Sequence, residues 1–167
     1  MNRMWSPWRS KYIQSFKEKK EGDSDCIFCN AVTQNSNDED SLVVFHGVEV
    51  FVVMNLYPYN NGHLMVVPNR HINDFLDLSK SELDEINHLL KISLKALREI
   101  LKPQGFNVGM NIGKVAGAGI DTHLHYHAVP RWNGDTNFMP ALGEVKVISQ
   151  DLLQTKTELI KAFDKLL

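Results

Sequence analysis

What this sequence lacks narrows the field first. It has no run long and apolar enough to span a bilayer, and its start has nothing like the apolar core of a signal peptide. The expectation is a cytoplasmic protein with no membrane partner. Basic runs are missing too: 18 Lys and Arg against 20 Asp and Glu give a formal charge of −2. That balance excludes a general nucleic-acid binder working by counterion release. It leaves room for a small phosphate-rich ligand, because a local site can be positive in a nearly neutral protein. Cysteine is scarce, with Cys26 and Cys29 the only two. In a reducing compartment such a pair reads as a metal site or redox pair before it reads as a structural disulfide. Internal repeats are absent.

The remaining composition is that of a globular chain. At 167 residues, 43% apolar and 23% charged, it suits one domain with a sizeable core and short extensions. The opening MWSPWRSKYIQSF predicts a helical extension over residues 1–20. Ser6 would be its N-cap, Pro7 its first position, and Trp8, Tyr12 and Phe16 one face. After CIFC and a polar, acidic loop, SLVVFHG and VEVFVVMN predict a hairpin divided near Gly47. HLMVVP, FNVGMNIG and HLHYHAVPR predict three further strands. Ser79 and Glu82 form the pattern of a capping box. Behind it Leu83, Ile86, Leu90, Leu94, Leu97 and Leu101 recur at helical steps, ended by Pro103 and Gly105. A closing helix is expected over 145–167. Short strands around one long helix predict a compact antiparallel α+β domain.

The fifth strand carries the chemistry. HLHYH places His123, His125 and His127 at every second position, so on a strand all three line one side. Histidine is a modest strand former and is costly to bury unpaired, so packing gives no reason for the row. Two kinds of chemistry suit it. A metal could take the three nitrogens with water in the fourth position. Alternatively, one imidazole could act as nucleophile on phosphorus, with its neighbours orienting it and donating a proton. Spacing alone does not choose, but the preceding loop favours the second. Gly113, Gly117 and Gly119, with Ala116 and Ala118, keep side chains out of the space beside the histidines and let backbone N–H groups approach an anion.

HLHYHAV fits the pattern H-φ-H-φ-H-φ-φ, and NLYPYNNGHLMVVPNRH is similar to N-x-x-P-x-x-x-G-H upstream of it. On these motifs the stretch 26–132 resembles the histidine triad superfamily. MWSPWRSKYI and VPRWNGDTNF add a narrower likeness to its branch of bacterial diadenosine tetraphosphate phosphorylases, related to the fragile histidine triad hydrolases. The resemblance implies a single domain: a five-stranded antiparallel sheet with one long helix, plus N- and C-terminal helices. It implies a nucleotidyl hydrolase or transferase acting on adenine dinucleotides such as diadenosine tetraphosphate, with inorganic phosphate or water as acceptor. His125 matches the nucleophile that forms a nucleotidyl-imidazole intermediate. His127 matches the residue that contacts phosphate and assists the leaving group, and His63 the supporting histidine. Asn55 matches the ribose-binding position and Asn111 a phosphate-side amide. Phosphates are expected against His63, Asn111, His125 and His127, with Gly117 and its loop alongside. An alternative of another class is a nucleotide-binding module without turnover, against which the intact histidine set argues. Hydrolysis of dinucleoside polyphosphates or of nucleoside phosphoramidates also remains open.

Some histidine triad relatives complete a C-x₂-C pair with a histidine after P-x-R and the first histidine of the triad. Carried over, this implies one structural zinc per chain held by Cys26, Cys29, His71 and His123. The family further implies a homodimer. Trp132 is expected beside the ligand or at the subunit contact. Arg70 and Arg131 read as surface salt links, and His46 and His88 as solvated.

Overall fold

A computed structural model describes residues 26–135 and 150–167. The helix expected over 1–20 lies outside the described residues. The first two strands, β1 (Val43–His46) and β2 (Val50–Met54), form the expected hairpin. Gly47 N donates to Val50 O at 2.8 Å, and the Glu85 carboxylate accepts from Val48 N and Glu49 N at 2.8 and 2.7 Å. A Cβ on Gly47 would lie 2.4 Å from Glu85 Oε1 and 2.6 Å from Val50 O, so only glycine fits this turn. β3 (Leu64–Pro68) follows, then β4 (Gly105–Gly109) and β5 (Tyr126–Arg131). All neighbours pair antiparallel in the order β1-β2-β3-β5-β4.

Among the described residues three α-helices complete the α+β fold. A short one, α1 (Ile27–Ala31), begins directly after Cys26; the sequence patterns did not single it out. The long one, α2 (Lys80–Leu101), starts at the predicted capping box, with Ser79 Oγ accepting from Glu82 N and Glu82 accepting from Ser79 N. Buried Glu82 also binds Arg70 at 3.0 Å, which fastens the PNRH turn to the start of α2. The Arg70 guanidinium holds the Glu82 carboxyl below its ordinary range. α2 ends at Lys102 in the left-handed region, just before Pro103. α3 (Leu152–Leu166) starts later than the 145–167 reading because Asp151 caps it, accepting from Leu153 N and Gln154 N. α2 lies over β2, β3 and β5, while α3 packs on α2 and β1. The core sits between these two helices and the sheet.

One expectation is corrected. The triad does not lie wholly on a strand, because β5 begins only at Tyr126. Val66 pairs with Tyr126, so continued pairing would set Pro68 opposite Leu124. Pro68 has no N–H to give, and its carbonyl is occupied by the His123 ring at 2.9 Å. Leu124 N turns instead to Ile72 O at 2.7 Å. His123, at a bend, and His125 therefore sit on the segment leading into β5, both buried, with His127 alone of the three on β5.

Candidate active site

The pairings Val53 to Met65, Met65 to His127 and His127 to Gly109 run one row across the sheet, on the face opposite α2. Over this row lies a mostly apolar cavity of about 580 Å³, a size suited to a small ligand. Phe28 of α1, Leu42, Val53 and Met65 line it, together with the polar Asn55, Asn111, His125 and His127. Phe28 explains how α1 builds the site. It is buried, and its ring lies 5.0 Å from that of His125 and 5.4 Å from that of His123. Its sequence signal was an apolar residue between two cysteines, too local to reveal a wall.

Backbone groups, which cannot change their donor or acceptor nature, fix where the imidazole protons are. His125 Nδ1 lies 2.9 Å from His123 O, so Nδ1 carries the hydrogen and Nε2 keeps its lone pair toward the cavity. His63 Nδ1 accepts from Tyr59 N at 3.1 Å, which places the proton of His63 on Nε2. That Nε2–H then donates to His127 Nδ1 at 2.9 Å. His127 in turn holds its own proton on Nε2. A bare nitrogen and an N–H thus stand side by side, the two rings 4.9 Å apart in an edge arrangement. His63 is fully buried and does not line the cavity; it reaches the cavity's lining only through His127. Tyr59, which the sequence reading did not single out, covers both rings at 4.8 and 5.8 Å.

Burial lowers all three triad pKa values. For His123 and His125 it is the largest cause, partly offset by their backbone carbonyl partners. His127 is pushed down to about 4, first by burial and then by His125 beside it. All three are therefore neutral at pH 7, as a nucleophilic lone pair requires. Below its ordinary value of 6.5 the unfolded His127 gains a proton that the folded form refuses until about pH 4. Since the unfolded state then binds more protons, its contribution to stability is present above pH 6.5 and lost as pH falls from there toward 4. Urea midpoints should drop between pH 7 and pH 5, and His127→Gln should flatten that drop. An equal slope in the variant would show that other groups are responsible.

The cysteines meet two histidines behind this site. Cys26, Cys29, His71 and His123 bring their ligand atoms within 4.8 Å of one another. His123 Nδ1 lies 3.3 Å from Cys26 Sγ and 3.7 Å from Cys29 Sγ, and His71 Nδ1 lies 3.2 Å from Cys29 Sγ. A tetrahedral ion with sulfur and nitrogen ligands has edges of about 3.5 Å, so the four residues fit one. Because His123 Nε2 is bound to Pro68 O, Nδ1 offers its lone pair to the cluster. The set can hold a metal ion.

The glycine loop differs from its expected part. The N–H groups of Ala116, Gly117 and Ala118 bond to Gly113 O and Lys114 O within the loop. Gly117, at φ +90°, stands beside Asn111, whose Nδ2 reaches its carbonyl at 3.4 Å, and does not line the cavity. Gly119 and Ile120 do. Arg131 binds Asp135 at 2.6 Å and Arg70 binds Glu82, so both arginines are engaged in the expected salt links. His46 and His88 are exposed. Trp132 follows β5, its N–H given to Asp135 at 3.0 Å, and does not line the cavity. No described helix is long and apolar enough to cross a membrane.

Comparison with known proteins places this geometry. The model of the family described as HIT domain matches residues 36–134. A Mycobacterium tuberculosis protein named AP-4-A phosphorylase is 40% identical over 158 residues, 93% of this chain and 81% of that protein. A HIT-like protein of Methanocaldococcus jannaschii is 32% identical over 75% of this chain and 93% of its own length. Among solved structures, a zinc-bound histidine triad family protein from Mycobacterium smegmatis superposes with a TM-score of 0.66 at 25% identity, covering 85% of this chain and 95% of that one.

Proposed function

The chain belongs to the HIT domain family, and from that premise we propose that it is a nucleotidyl transferase that splits adenosine dinucleotides such as diadenosine tetraphosphate by phosphorolysis. The observation that carries this reading is the neutral His125, its Nδ1–H given to His123 O and its Nε2 lone pair turned into the cavity. The relative named AP-4-A phosphorylase supports the choice of substrate.

In this reading His125 Nε2 attacks the α-phosphorus and a P–N bond forms. The bond from phosphorus to the polyphosphate oxygen breaks, and its electron pair leaves with ATP. His127 Nε2–H meets the departing oxygen, with His63 behind it. The positive charge left on the His125 ring stays paired, through Nδ1–H, with the His123 carbonyl. A phosphate oxygen then attacks the same phosphorus, the P–N bond breaks, and ADP leaves. Asn111 serves the phosphates. Asn55, which lines the cavity, meets the ribose, and the apolar walls hold the base. Fixed donors aimed at charge building on phosphoryl oxygens are the main catalytic resource in such transfers.

Zinc is the ion this reading places on Cys26, Cys29, His71 and His123. Four protein ligands close its coordination, so it supplies shape and not chemistry. The protein is further read as cytoplasmic and as a homodimer, with edge strand β4, exposed over 107–109, continuing the sheet into a second copy. Product analysis tests the reaction. Diadenosine tetraphosphate with inorganic phosphate should give ADP and ATP in equal amounts, with little turnover when phosphate is withheld. AMP plus ATP, at the same rate in either condition, would convert the assignment to hydrolysis.

A further inference from the structure

The supposed ribose residue has another task. Asn55 Oδ1 accepts from Tyr57 N at 3.0 Å. A backbone N–H can only donate, so this contact fixes which end of the Asn55 amide is oxygen. The NH₂ end therefore faces His63, with Nδ2 3.2 Å from His63 Nδ1. Tyr59 N reaches that same nitrogen at 3.1 Å. His63 Nδ1 thus receives two donors, which requires a lone pair there and sets the ring's hydrogen on Nε2. The consequence runs outward: His63 Nε2–H to His127 Nδ1 at 2.9 Å, and His127 Nε2–H to the cavity.

We propose that Asn55 is a positioning residue of the hydrogen-bond chain that presents His127 to the ligand: with the backbone of Tyr59 it locks His63 in the tautomer that keeps the hydrogen of His127 on the nitrogen facing the ligand. The inference rests on the nucleotidyl-transfer reading for its substrate, but not for its geometry. An amide is suited to the post. It is charge-free, so it neither protonates His63 nor titrates itself, and it donates at one end while the Tyr57 N–H anchors the other. Asn55 also lines the cavity, where a ribose is placed. The two tasks differ in what they affect: a ribose contact acts through the sugar hydroxyls, whereas the lock acts whether or not the sugar has any.

The test crosses the residue with the sugar. Turnover of diadenosine tetraphosphate, and of the same compound without its ribose hydroxyls, is measured for wild type and Asn55→Ala. The lock predicts that Asn55→Ala lowers kcat roughly tenfold on both compounds, about the worth of one hydrogen bond to a catalytic group. If the loss disappears with the hydroxyl-free compound, Asn55 acts only through ribose and the proposal is overturned. Nitrogen-15 spectra of the wild-type imidazoles give a second reading that needs neither a variant nor turnover. Between pH 6 and 8, His63 should show Nε2 protonated and Nδ1 bare; the reverse pattern overturns the lock. Wild type inactive on the parent compound would sink the substrate assignment and leave the spectral result to judge the lock.

Discussion

His125→Ala should abolish turnover while the protein still folds and still binds adenine nucleotide. The substitution deletes the only triad nitrogen that has a free lone pair in the cavity: His123 Nδ1 faces the cysteines and His127 Nδ1 faces His63. With no group to form the P–N bond, the two-step path is closed rather than slowed. The loss should exceed that of His127→Ala, since proton transfer assistance is worth ~10²–10⁴-fold. His125 packs on Phe28 at the cavity edge and belongs to no buried ion pair, so the fold should survive its truncation. Turnover assays beside a thermal melt and a nucleotide titration check this. Near wild-type rates in a folded His125→Ala protein would refute the covalent mechanism.

Removing the metal, or making Cys26→Ser, should cost more stability than any other change considered. Structural zinc sites contribute folding free energy directly, with apparent values of about 10–16 kcal/mol in small peptides at pH 7. Even a third of that, at about 2–4 °C per kcal/mol for a chain of this size, lowers the melting temperature by roughly 7–20 °C. Well below the melt, kcat should change less than stability does, because no reacting atom touches the cluster. Elemental analysis of protein purified without added metal should find one zinc per chain. A metal-free preparation with an unchanged melt and two freely titratable thiols would exclude the site.

The sequence was most legible where a local rule has one outcome. Ser79 and Glu82 announced the start of α2, Gly47 the hairpin, and steps of three and four the buried face of the helix. The histidine row pointed to residues whose rings the fold does bring together, yet it misplaced the strand that carries them. Strand pairing depends on the partner, and the partner here is a proline whose carbonyl has already accepted a side chain. Residue identity likewise drew attention to Asn55 and His63 but not to the direction of the bond between them. That direction comes from the Tyr57 and Tyr59 N–H groups, and every residue except proline has the same N–H; only its placement in space is informative. For the same reason the glycine loop read as an open cradle, while its own carbonyls take three of its donors. Phe28 was invisible because a wall is defined by what stands opposite.

The five residues of α1 are too few to hold a helix unaided, since an isolated one needs about 12–15. Its lifetime is therefore borrowed from its anchors, the cysteines at and within its ends and the phenylalanine turned inward between them. The helix is also one wall of the cavity. The slowest departures from this protein should thus keep time with the sulfur atoms, and a cell that strips or oxidises them would hasten the exit of whatever is bound.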